Sequence, residues 1–261
     1  MVAERKAAEE EGESKMEVKL LSKGKDKMSF LVKGIDHAYV NSLRRLIIAQ
    51  VPTLAIEDVS FSKNNSILYD EVIAHRLGLL PLKTDANMDE KTKIVFSIKA
   101  KGPGYVYASE LKTTDKKCKP VYPNMPIVKL LDKQELQLEA TAMLGIGSEH
   151  TKWSPGTAYY VQESTLIINN KHKDFEKFKN KYPPKAFDKK GQLDEKSILQ
   201  NNLVDACEGV NEEILKVEYN DENFIFNVES WGQMDCKTMV TTALDIFTDK
   251  LTELSKLLKA N

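Results

Sequence analysis

Cysteine is scarce. Only Cys118, Cys207 and Cys236 occur in 261 residues, 89 and 29 positions apart. No CxxC, CxxH or HxxxH pair accompanies them, and the histidines are four: His37, His75, His150 and His172. Structural zinc sites draw ligands in close pairs, and iron–sulfur clusters usually take four thiolates. This donor supply excludes an ordinary metal cluster built by the chain alone. An odd thiol count also fits a reducing compartment. Long apolar runs are missing too: the stretch 43–52 is broken by Arg44 and Arg45 and falls far short of the ~20 apolar residues of a membrane helix. Charges crowd the segment from Glu4 to Lys15, where a secretion signal would be apolar. A cytoplasmic protein with no membrane contact is expected. Catalytic signatures are equally absent: no GxSxG, P-loop, GxGxxG after a strand, or HExxH. Nor is there an excess of one charge, because 38 Lys+Arg against 39 Asp+Glu leave −1. That balance excludes a protein wrapping nucleic acid through an overall basic surface.

What is present is ordinary globular material, 41% hydrophobic and 30% charged, long enough for one or two domains. Residues 1–15 hold eight charged residues and too few apolar ones to offset ordering entropy, so a mobile tail is expected. From Met16, apolar and polar residues alternate (Met16, Val18, Leu20, then Met28, Phe30, Val32) around Ser22–Asp26, which reads as a hairpin. A helix follows with Asp36 as N-cap. Val40, Leu43 and Ile47 recur on it at helical spacing, and it ends before Pro52. A second, short helix is expected from Glu71 to Leu77, with Asp70 as cap and Gly78 beyond its end. Strand-like runs occupy the interval up to 140. Residues 145–157 form a Gly/Pro-punctuated loop before a strand from Tyr159 to Ile168. The stretch 169–202 reads as a solvated insert with a helical stretch near Asp174 to Tyr182: Lys171–Lys196 holds nine lysines against five acidic residues around Pro183-Pro184. A hairpin is expected around Asn220-Asp221-Glu222.

Near the C-terminus, Val240, Leu244, Phe247, Leu251, Leu254 and Leu258 follow spacings of 4, 3, 4, 3 and 4, widened by Ala243, Ile246 and Leu257. The stripe is broader than a surface helix usually exposes. One half can cover the chain's own sheet while the other meets another chain.

Chemistry-bearing candidates have bland alternatives. Gly145-x-Gly147 suits a tight turn better than a phosphate cradle. His150 and Trp153 suit a loop anchored by a buried indole better than a ligand site. His75 belongs at a surface or interface, and Cys207 and Cys236 pack as small apolar groups. Arg44 and Arg45 stand mid-helix among apolar neighbours. They either snorkel or anchor an interface, where arginine is enriched. Helix geometry directs Arg45 outward, 200° from Leu43, and Arg44 to the boundary.

These motifs resemble the α-type assembly subunits of multisubunit RNA polymerases. That family includes the archaeal D-type chain, the third-largest subunit of eukaryotic RNA polymerase II and the N-terminal domain of bacterial α. The similarity runs through VNSLRRLIIAQVPTLAIEDV (40–59), LYDEVIAHRLGLLPL (68–82), KPVYPNMPIVKLL (119–131), GIGSEHTKW (145–153) and FNVESWGQM (226–234), in family order. The resemblance implies an α+β fold: a dimerisation domain formed by both chain ends, interrupted by a mainly β inserted domain and a small variable subdomain. Mapped here, 1–15 is the tail, 16–50 and 218–261 the dimerisation domain, 51–165 the insert, and 166–217 a subdomain derived from a ferredoxin-like one. It implies a non-catalytic scaffold that nucleates assembly of a DNA-directed RNA polymerase for transcription. Subunit L is then the heterodimer partner, through Val240, Leu244, Phe247, Leu251, Leu254 and Leu258. Subunits N and P join the heterodimer, and Arg44 and Arg45 meet a β-like large subunit. DNA would be met only through the complex. Some archaeal relatives carry an iron–sulfur cluster in the subdomain, and eukaryotic ones a zinc site in the insert. Here the first region keeps only Cys207 and the second only Cys118, so no cofactor is expected. The competing reading is a free-standing nucleic-acid-binding protein using Lys171–Lys196. An uncharacterised enzyme lacks any nucleophile–base constellation.

Overall fold

A computed structural model describes residues 16–85, 88–89, 92–113, 115 and 117–260. The charged segment 1–15, read as a tail, lies outside the described residues. Strands β1 (Glu17–Lys23) and β2 (Lys27–Lys33) precede helix α1 (His37–Ala49) and strand β3 (Thr53–Asn64). Next come α2 (Asp70–Gly78), β4 (Lys93–Lys101), β5 (Gly104–Tyr107), β6 (Lys112–Thr113), β7 (Pro126–Leu130) and β8 (Glu135–Gly145). Strand β9 (Gly156–Ile168) leads into short helices α3 (Phe175–Phe178), α4 (Glu195–Gln200) and α5 (Val204–Cys207). Strand β10 (Leu215–Ser230) and the long α6 (Cys236–Ala260) complete the order. The sheets run β1-β2-β10-β9, β3-β8-β4-β6 and β5-β7, an α+β architecture. The first sheet combines strands from both ends of the chain. β9 belongs to it, although the sequence reading leaves most of that strand in the inserted segment.

Two compact units are distinguished: the described part of 1–19 with 31–37 and 160–225, and 20–30 with 38–159 and 226–261. In the larger unit, β4 alternates exposed and buried residues along its whole length. Phe96 lies opposite Ala140 and Ile94 opposite Ala142, large against small, which lets the buried face interdigitate. Ile73 and Leu77 of α2 complete this core. The same unit holds a β2–β10 contact, where Phe30 and Phe226 stack with centroids 5.4 Å apart and Ser29 donates to Asn227 Oδ1 at 2.6 Å.

The smaller unit corrects the expectation of a merely solvated insert. Phe175, Tyr182, Leu193, Ile198 and Cys207 form a core with Leu166, Ile214 and Leu215. Lysine-rich composition hid those apolar residues because they are spaced singly across short turns rather than in one periodic run.

The hairpin expected at Asn220-Asp221-Glu222 is not there: β10 continues unbroken for 16 residues. Its polar residues are held extended by partners. Ile35 N donates to Glu222 O at 3.1 Å, and Gln162 Nε2 donates to Asp221 Oδ1 at 2.9 Å. Asp70 is likewise not the cap of α2 but its first residue. Tyr69 holds the cap position, and Asn64 Nδ2 donates to the Asp70 carboxylate at 2.6 Å.

Candidate subunit interface

Helix α1 buries Val40, Leu43 and Ile47, as their spacing requires. Arg45 is exposed and Arg44 half-buried. Arg44 folds back along its own helix, Nε and Nη2 donating to Asn41 Oδ1 at 3.2 and 2.9 Å. That tether leaves Arg45 as the freer cation of the pair.

The C-terminal end of α1 is finished by the 145–153 loop. Ser148 N donates to Ala49 O at 2.9 Å, satisfying one of the carbonyls a helix end leaves open. The tight turn expected at Gly147 is present, closed by Glu149 N donating to Ile146 O at 3.0 Å. Both glycines serve close approach: a Cβ on Gly147 would overlap Ile48 O, and one on Gly145 would overlap the Trp153 indole. Trp153 is buried, and its Nε1 donates to Met143 O at 3.2 Å. Lys152 places its ammonium 4.4 Å from the indole centroid, donates to Ile56 O at 3.2 Å and pairs with Glu57. His150 Nδ1 accepts from Lys152 N at 3.1 Å. These residues build a loop anchor rather than a ligand site.

Helix α6 starts from a turn fastened by side chains. Ser230 Oγ donates to Met234 O at 2.5 Å and accepts from Gly232 N at 2.9 Å, while Gly232 takes a φ of +90°. Asp235 caps the helix, its Oδ1 accepting from Thr238 N at 3.0 Å and Oδ2 from Thr238 Oγ1 at 2.6 Å. These bonds hold the Asp235 carboxyl below its ordinary pKa. The apolar stripe then divides. Val240 and Ala243 are buried, and Leu244, Ile246 and Phe247 are half-buried, Phe247 with its ring 5.7 Å from Tyr39. Beyond Lys250, whose Nζ donates to Gln50 Oε1 at 2.8 Å, the stripe is bare. Leu251, Leu254, Leu257 and Leu258 are 53%, 53%, 59% and 71% exposed. Four such leucines in succession make a patch monomers rarely leave uncovered. The Gln50–Lys250 bridge and the Tyr39–Phe247 pair have almost no signature in the sequence. Their only trace there is that Tyr39 and Gln50 flank the α1 stripe.

The three cysteines lie apart among the described residues. Cys207 belongs to the smaller unit, Cys118 and Cys236 to the larger, and all three thiols are buried. Burial pushes the Cys118 thiol up to about 11, assisted by Asp115, whose Oδ2 lies 3.8 Å from Sγ. Burial also raises Cys207 and Cys236. A metal-binding thiolate needs the opposite shift. Among the described residues no three His, Cys, Asp or Glu side chains converge as a metal site would require. Among the same residues, no helix is long and apolar enough to cross a membrane.

Comparison with known proteins gives one consistent answer. The family model described as RNA polymerase Rpb3/Rpb11 dimerisation domain matches residues 29–251. The chain is 36% identical to the DNA-directed RNA polymerase subunit Rpo3 of Pyrococcus furiosus, over 93% of this chain and 98% of that one. It is 35% identical to the Rpo3 subunit of Thermococcus kodakarensis, over 93% and 99% respectively. With the Rpo3 subunit of Methanothermobacter thermautotrophicus the identity is 34%, over 90% and 96%.

Proposed function

The chain belongs to the RNA polymerase Rpb3/Rpb11 dimerisation family, and from that premise we propose that it is the α-like assembly subunit of a cytoplasmic DNA-directed RNA polymerase. It works as a scaffold without an active site of its own. Its heterodimer partner is an L-type subunit, the smaller α-like chain. Subunits N and P bind the pair, and the β-like large subunit then joins the product.

The observation that carries the pairing is the division of the α6 stripe. The first half, from Val240 to Phe247, is buried or half-buried within the chain; the second, from Leu251 to Leu258, is solvent-exposed. Covering the exposed part of one half-exposed leucine contributes roughly 1 kcal/mol, and obligate interfaces resemble a core cut in two. A partner with a matching apolar helix supplies the missing half. On α1, the outward Arg45 suits a different contact, a carboxylate or backbone carbonyl of the large subunit, because its guanidinium is free to make bidentate bonds. The same reading assigns the chain no resident iron–sulfur cluster or zinc. Support comes from three buried thiols separated in sequence and raised in pKa.

Co-expression with the L-type subunit tests the pairing. The wild-type chain should copurify with it one to one, and the double substitution Leu251→Asp, Leu254→Asp should abolish capture without lowering the melting temperature of the mutant chain. Failure of the wild-type chain to capture the L-type subunit would remove the proposal.

A further inference from the structure

The smaller unit carries a charge separation that scaffolding does not use. Residues 171–190 hold eight lysines and three acidic residues, whereas 194–213 hold six acidic residues and one lysine. The stretch 160–225 contains no arginine.

Local geometry gathers five of these lysines. Lys177 and Lys181 flank the half-buried Phe178 ring, their ammonium groups 5.8 and 4.8 Å from its centroid. Lys179 lies between them in sequence and turns its Nζ to the 188–191 turn, 3.4 Å from where a Cβ on Gly191 would stand. That turn presents Lys189 and Lys190, both exposed. Two of the three carboxylates in 171–190, Glu176 and Asp188, are already engaged. Glu176 pairs with Lys179 at 3.2 Å, and Asp188 Oδ1 accepts from Lys190 N and Gln192 N at 2.8 and 2.9 Å. Among the described residues Lys177, Lys181, Lys189 and Lys190 make no ion pair.

We propose that this lysine face around Phe178 is a contact surface for the phosphate backbone of duplex nucleic acid. Composition separates this partner from an acidic protein. Protein hot spots favour Arg, Trp and Tyr, and protein interfaces are depleted in lysine. An all-lysine face offers strongly hydrated point charges that meet evenly spaced phosphates without bidentate geometry or sequence preference. The chain's overall charge of −1 is no obstacle, because the lysines are concentrated on one short stretch and unpaired charges interact locally, within a Debye length of about 8–10 Å. A polymerase assembly keeps a duplex in its vicinity, so a weak, salt-sensitive contact suffices.

The probe is a fluorescently labelled duplex of about 30 base pairs and arbitrary sequence, titrated with the full chain in anisotropy measurements. With about four phosphates neutralised, affinity should fall on the order of a hundredfold between about 50 and 200 mM salt. Lys177→Gln, Lys181→Gln, Lys189→Gln and Lys190→Gln together should remove most of the binding and flatten the salt dependence. The matching four Lys→Arg changes should retain both. Neutralising exposed Lys93, Lys99, Lys112 and Lys133 should change little. If the four-Gln variant melts early, the pair Lys189→Gln, Lys190→Gln decides, with about half the salt slope lost. Absence of salt-sensitive binding by the wild-type chain would overturn the proposal. So would equal loss from the control set, or a face that retains only an acidic protein while ignoring the duplex.

Discussion

At position 153 an indole does what no other side chain in the loop could. It fills the space left by Gly145 and donates one hydrogen bond to Met143 O. Trp153→Ala should therefore cost about 3–5 kcal/mol of stability, read from urea unfolding of the chain. Asp235 acts at the opposite end of the molecule's energy scale. Its bonds to Thr238 close the first turn of α6, and Asp235→Ala should cost about 1 kcal/mol. The sign of the pH effect follows from its lowered pKa. The carboxylate's contribution is complete above the unfolded value near 3.9 and is lost as pH falls through the lower folded value. The difference between wild type and Asp235→Ala should hold from about pH 7 to about pH 5 and shrink in stronger acid. Arg45 is a third kind of residue, exposed and free of the tether that occupies Arg44. Arg45→Ala should shift stability by less than about 0.5 kcal/mol and leave capture of the L-type subunit intact. Staged reconstitution should show weaker capture of the large subunit; normal capture would refute that role.

Elements differ in how plainly the sequence announces them. Helix α1 and helix α6 were legible because 3.6-residue periodicity is strong wherever one face is buried and the other solvated. The exposed status of Arg45 and the buried one of Val40 came from that same rule. Strand β10 was not legible at its middle. Asn220-Asp221-Glu222 has the composition of a turn, yet Ile35, just after β2, and Gln162 of β9 supply partners that keep it extended, and a single sequence does not show partners 59 or more positions away. The inner core of the 171–207 segment was hidden because its apolar residues are spaced singly among lysines across short turns. The glycines of the 145–153 loop were readable as a turn, but their second role was not. Gly147 approaches the last turn of α1 too closely for any Cβ. Gly147→Ala should thus destabilise by about 1–3 kcal/mol through overpacking, visible as a lowered melting temperature.

For the whole molecule, the family and the α+β class were readable because five motifs occur in family order across nearly the full chain. The split of the α6 stripe at Lys250 needed three dimensions, since the heptad spacing is identical on both sides of it. Metal content is a molecular property with a direct check. Elemental analysis of the purified chain should find neither stoichiometric iron nor zinc, and one cluster or one zinc per chain would require ligands from another subunit. The most direct test of the scaffold role is sedimentation velocity of the chain with and without the L-type subunit. Alone, the wild-type chain should self-associate through its bare leucines. With the partner it should collapse to a single one-to-one species that the Leu251→Asp, Leu254→Asp chain does not form. A monodisperse wild-type monomer that ignores the L-type subunit, or a doubly substituted chain that still binds it, would contradict the role assigned to α6.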